Sequence, residues 1–203
     1  MCHYQKGMKN EVAFVFSCPG AAEEAANKPA AGRTGTNLQQ LLNILSQKYG
    51  DNIEWSREAI TITNAWSPVE YRKLTGRTEA TVREVLTEEN LTRLEAELRA
   101  VEGLVITSGG RATLAVNALK SAGRIHNKVK VLHIRHLGLR ALNQIKVDVN
   151  GEPIISVADQ LAKDHSLSSP QAGRENTMRR LEVVADEIGQ AFMETQARGG
   201  IRS

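Results

Sequence analysis

Apolar residues gather in four short runs, at residues 11–16, 59–63, 103–107 and 130–134, each bounded by turn-forming or polar residues. Runs of this length, rich in Val, Ile and Phe, predict buried strands, whereas apolar positions three or four apart predict helices. Such a stripe covers residues 37–48, with Leu38, Leu41, Leu42 and Leu45 on one face and Asn37 in the capping position. A second carries Leu91, Leu94, Leu98 and Val101 behind Thr87, Glu88 and Glu89, whose charges suit a helix N-terminus. A third, with Ala112, Leu114, Ala115, Ala118 and Leu119, follows Ser108-Gly109-Gly110 directly. This alternation predicts an α/β fold of three α/β/α layers around a mainly parallel four-stranded sheet, because right-handed crossovers lay helices on both faces.

Beyond the fourth run the pattern changes. Residues 144–149 and 152–157 flank Asn150-Gly151, a pair suited to a type I′ turn, so a hairpin insertion is predicted near 144–157. Ser169-Pro170 opens a C-terminal helix near 170–196, with Leu181, Val184, Ala185, Ile188 and Phe192 on one side. Residues 64–76 read as a long loop that leaves Trp66 and Tyr71 in polar company, and loops of that length are often functional. Without an internal repeat, residues 1–203 read as one domain.

A hydrophobic share of 41% supports an ordinary core, and a net charge of +3 permits a polyanionic partner without requiring one. The distribution says more: residues 111–140 hold seven Lys or Arg, three His and no acid. Taken alone, such a run reads first as a solvated basic face and second as a nucleic-acid surface. Cys2 and Cys18 are too few for a disulfide framework or a cysteine-ligated iron–sulfur cluster. No metal or redox cofactor is expected. With no apolar stretch near the roughly 20 residues that span a bilayer, the expectation is a reduced, cytoplasmic protein with no membrane contact.

Three segments follow the ends of predicted parallel strands: residues 17–35, 64–71 and 135–143. In a parallel sheet those ends share one edge, so one cleft would collect the Pro19-Gly20 loop, the Asn64 amide, and His133 or His136 with Arg135 and Arg140. Taken singly, Asn64 reads equally as a strand-end cap or turn, whereas each histidine reads as a structural residue before a catalyst.

The order Pro19-Gly20, Glu23-Glu24, Pro29, Gly32-x-x-Gly35, Leu41-Leu42, Ile62-Thr63-Asn64 and His136 resembles the uracil-DNA glycosylase superfamily. It is closest to the subgroup whose first motif reads Gly-Glu-Ala-Pro-Gly. Residues 28–42 track that subgroup's Pro-Phe-x-Gly-x-x-Gly and Leu-rich helix, residues 105–112 also have a counterpart, and the likeness spans residues 12–143. The resemblance implies a monofunctional glycosylase that flips a nucleotide out of double-stranded DNA and hydrolyses its base–sugar bond with water. It implies that His136 donates to the base oxygen, that Asn64 reads the base's polar edge, and that Glu23 and Glu24 hold water or support the sugar cation. Ser17, Cys18, Ala30 and Trp66 would line the base pocket. Gly109, Gly110, Arg111, Arg135 and Arg140 would meet the DNA backbone, and Leu137 or Leu139 would act as the wedge.

Four departures modify that expectation. The cluster cysteines of the subgroup are missing, Ser17-Cys18 stands where related proteins carry pairs such as Glu-Ala or Gln-Asp and so lacks their acidic residue, and Leu137-Gly138 follows His136 where Pro and a small residue are usual. Ala30 stands where the family's Phe stacks on uracil. Loss of that ring leads to the expectation of a larger base, such as the glucosylated hydroxymethylcytosine of phage DNA, and of a role in defence. Uracil excision in DNA repair and a catalytically silent DNA- or modified-base-binding module are the alternatives. A small-nucleotide hydrolase is a third class.

Overall fold

The computed structural model describes residues 1–50 and 53–199, with side chains to residue 193. Residues 51, 52 and 200–203 of the domain predicted over 1–203 lie outside the described residues. Five strands form one sheet: β1 (Tyr4–Gln5), β2 (Val12–Phe16), β3 (Thr61–Asn64), β4 (Leu104–Ser108) and β5 (Lys130–Ile134). Their order across the sheet is β1-β3-β2-β4-β5, with β2 to β5 parallel and β1 antiparallel at the edge beside β3. The helices in chain order are α1 (Ala21–Ala26), α2 (Gly32–Tyr49), α3 (Arg72–Thr75), α4 (Val82–Val85), α5 (Glu88–Leu98), α6 (Gly110–Ser121), α7 (Leu139–Leu142), α8 (Val157–Lys163) and α9 (Ser169–Gly199).

The predicted three-layer α/β/α fold stands, with five strands instead of four. Strands β2, β3 and β4 are buried along their length because both faces of the sheet are covered there, whereas β5 at the edge is half-buried. Val12, Phe14 and Phe16 join Ile62, Leu104 and Ile106 in a core closed by Leu38, Leu41 and Leu45 of α2 and by Leu181, Val184 and Ile188 of α9. Ala13, Val15 and Val105 face the other way, against Leu94 and Leu98 of α5 and Ala112, Ala115 and Leu119 of α6. Fully burying one such Leu or Phe stabilises by about 1.5–3 kcal/mol.

Three expectations are corrected. Helix α2 starts at Gly32, with Ala31 as its N-cap, so Asn37 lies inside the helix and is buried, not capping. Residues 144–157 pair over a shorter stretch than expected: one antiparallel bridge joins Val147 and Pro153, with Asp148 N–H donating to Glu152 O at 2.9 Å and Ile154 N–H to Lys146 O at 2.8 Å. The Asp148 carboxylate closes the turn by accepting the Asn150 and Glu152 N–H groups at 2.9 Å each. Asn150 keeps a negative φ, so only Gly151, at φ +83°, occupies the left-handed region and the turn is not type I′. Among the described residues no helix is long and apolar enough to cross a membrane.

Candidate functional site

The chain leaves β2 toward α2 on one face of the sheet and leaves β4 toward α6 on the other. The point between those strand ends is the topological switch point, the place where ligands of open α/β sheets bind. Ser17 follows β2, Gly109 follows β4, and His136 lies two residues past β5. They meet closely: a Cβ on Gly109 would fall 3.2 Å from Ser17 Oγ and 3.4 Å from His136 Cδ2. Gly109 also sits at φ +102°, a conformation that favours glycine.

The His136 loop is fastened from several sides. Ser108 Oγ accepts from Leu137 N at 3.3 Å and donates to Arg135 O at 3.4 Å, while Asn37 Nδ2 donates to Leu137 O at 2.6 Å. The imidazole stands edge-on to Phe16, with ring centres 6.5 Å apart. Gly138 N–H donates to His136 Nδ1 at 2.9 Å, which leaves the proton of the neutral ring on Nε2. Burial pushes the His136 pKa below its ordinary value, opposed by the negative charges of Glu79 and Glu23. The result is a neutral ring with a fixed Nε2–H donor.

The carboxylates are unequal. Glu23 binds two backbone donors at 2.9 Å each, Gly20 N–H through Oε2 and Ala31 N–H through Oε1, and so ties the Pro-Gly loop to the start of α2. Glu24 accepts from the exposed Tyr71 hydroxyl at 2.9 Å. Glu79, which no sequence pattern singles out, bears electrostatically on His136 and Cys18 and approaches Arg111 at 4.0 Å. Cys18 is pushed up to about 11, chiefly by burial, so it is a thiol at neutral pH and a poor nucleophile.

Asn64 is the register partner of Phe16, so both side chains leave the sheet on one face, and both are buried. The Asn64 Nδ2 group donates to His3 O at 3.1 Å, which commits one end of the amide to β1's approach. Ala30 is 4% exposed, packs in the same core as Phe16, and has φ +45°. Its methyl is therefore enclosed, and the open space expected there is absent. Arg57, unmarked in the sequence, holds this turn by donating to Ala30 O at 3.2 Å and to Pro29 O. Close packing explains Gly35 too, since a Cβ there would lie 2.0 Å from Ala30 O. Trp66 is half-buried and donates to Glu70 Oε1 at 3.3 Å, with its backbone N–H on Ser17 O at 3.0 Å.

The backbone-binding candidates divide. Gly110 and Arg140 are exposed, and Arg135 is exposed with one donor on Gln144 at 3.1 Å. Arg111 is tethered to Ala80 O at 2.8 Å. The basic run does not form one patch, because Arg124 pairs with Glu88 and Glu95 and Lys120 binds Val129 O. Leu137 is fully buried in the core and cannot serve as a wedge as it stands; Leu139, 37% exposed, is the one that can. Among the described residues no group of three or more His, Cys, Asp or Glu is placed to hold a metal ion. No protein-family model matches the chain, and no curated protein does.

Proposed function

We propose that the protein is a DNA glycosylase that flips a nucleotide to the sheet's switch point and hydrolyses its N-glycosidic bond with water, leaving an abasic site. The observation that carries this reading is the neutral His136, with Nδ1 occupied by Gly138 N–H, standing beside Ser17 and Gly109 at the sheet's open edge. Breaking the bond builds negative charge on the departing base, and a positioned Nε2–H donor stabilises that charge in the transition state. A neutral donor avoids protonating a weakly basic leaving group fully. In this reading Glu23 and Glu79, whose charges bear on the His136 ring, would support the developing sugar cation.

The proposed substrate is a base larger than uracil, on the strength of the missing ring at position 30. Since Ala30 is enclosed, admitting such a base requires the 28–31 turn to shift away from Arg57. The second reading, a DNA-binding module without catalysis, draws on Glu23, whose two oxygens are both engaged by backbone donors. Incubation with uracil-containing DNA, unmodified DNA and phage DNA carrying glucosylated cytosines, followed by alkali, tests both. Breaks confined to the phage DNA support the proposed substrate, breaks confined to uracil DNA replace it with repair, and binding without breaks supports the second reading.

A further inference from the structure

A cavity of about 670 Å³ opens on the α2–α9 side of the sheet, between the start of α2, the residues around the Asn150 turn, and α9. Its polar wall includes Arg33, Asn37, Lys146, Arg174, Asn176 and Arg180, and none of its lining residues is Asp or Glu. Arg180 is 8% exposed, and its sole hydrogen bond among the described residues is from Nε to Ile145 O at 3.2 Å. Four other part-buried guanidinium groups are matched with carboxylates, Arg77 with Glu70 and Glu84, Arg93 with Glu97, Arg124 with Glu95 and Arg179 with Asp148, while Arg57 is held by two carbonyl oxygens. The four cations of this cavity make no ion pair among the described residues.

A buried guanidinium without a counter-ion is destabilising, and burial together with the charge of neighbouring Arg179 lowers the Arg180 pKa. Arg33, Lys146 and Arg174 are exposed, and an anion in the cavity would supply the counter-charge that Arg180 lacks. The volume lies within the range of small-molecule sites and far exceeds that of a single oxyanion, while four cationic side chains call for more than one negative charge. Arginine forks match phosphate oxygens in geometry as well as charge.

We infer that this cavity is a binding site for a ligand carrying two or more phosphate groups, with Arg180 at its floor and Arg33, Lys146 and Arg174 around it. Those phosphates belong either to a free nucleotide or to successive positions of a nucleic-acid strand. The site adjoins the His136 loop, because Asn37 lines it while holding Leu137 O, and Leu139 forms part of its wall. The inference stands apart from base excision and is read by a measurement that does not depend on it.

Thermal unfolding of the full chain is followed with inorganic pyrophosphate, with ATP, and with a twelve-nucleotide single-stranded DNA. The wild type, Arg174→Gln and Arg180→Met are compared. At about a hundredfold excess over Kd, a true ligand raises the wild-type Tm by about 5 °C or more, and Arg174→Gln loses at least half of that rise. Pyrophosphate or ATP producing this pattern assigns the site to a free nucleotide; the oligonucleotide alone producing it assigns the site to a strand. Arg180→Met also removes the Nε donor to Ile145 O, so its own ligand-free Tm is the baseline, and it too loses at least half of the rise. The inference is overturned if no ligand shifts Tm, or if each shift is the same in Arg174→Gln as in the wild type.

Discussion

Gly138 N–H donates to His136 Nδ1 across 2.9 Å, and that bond decides which nitrogen of the imidazole carries the proton. The donor comes from the chain two residues on, so the loop sets the tautomer of its own histidine. With Nδ1 occupied, Nε2 is the donor left for a ligand.

The first prediction concerns Gly138 itself. A Cβ there would fall 2.9 Å from His136 Nδ1 and 3.2 Å from Cε1, although the backbone, at φ −73°, accepts any L-residue. Gly138→Ala therefore acts by crowding the ring and nothing else. Stability falls by about 1–3 kcal/mol, as overpacking typically does, and the His136 ring resonances shift in a ¹⁵N-resolved spectrum. An unchanged spectrum contradicts the contact.

Burial holds the pKa values of His3, His133 and His136 below their ordinary 6.5. As pH falls below about 6.5, the unfolded chain takes up protons that the folded rings refuse, so stability is full above that pH and declines beneath it. Protonation also places a hydrogen on His136 Nδ1, facing the Gly138 N–H, and breaks the loop bond. NMR titration of His136 is predicted to give a midpoint below 6.5, with urea midpoints falling over the same acid range.

Arg57 supplies donors to two buried carbonyls, those of Pro29 and Ala30. Arg57→Met keeps most of the stem and removes those donors, which destabilises by about 1–3 kcal/mol for the unsatisfied oxygens. Urea unfolding measures the loss. The freed 28–31 turn is predicted to become an early site of protease cleavage.

Cys18 is the test of a non-nucleophilic thiol. With its pKa pushed up to about 11, it remains unalkylated by iodoacetamide at pH 7.5 under conditions that label an ordinary exposed thiol, as peptide mass spectrometry will report. Cys18→Ala is predicted to keep any excision activity within about threefold, since only a covalent role would demand the sulfur.

Much of the sheet was legible in the sequence because β2, β3 and β4 are buried along their whole length and β5, though a half-buried edge strand, keeps Val131, Leu132 and Ile134. Strand β1 was not, since two residues at an edge carry no periodicity. The start of α2 was misplaced because Gly32 and Gly35 look like loop residues; they lie in the helix's first turn, where a Cβ on Gly35 would strike Ala30 O. Leu137 looked exposed in a polar loop, yet its neighbours Ser108 and Asn37 pull that loop onto the core. Glu79, Arg57 and the phosphate-cavity cations had no local signal, because tertiary packing of separate segments brings each of them to its place.

The most direct test compares wild type with His136→Ala in single-turnover excision on whichever DNA of the uracil, unmodified and glucosylated set yields alkali-labile breaks. Loss of a positioned acid lowers rate by typically 10²–10⁴-fold, and that loss, with DNA affinity unchanged, is the predicted result. Breaks at an undiminished rate in His136→Ala, or wild-type binding without any breaks, would contradict His136 as the group that releases the base.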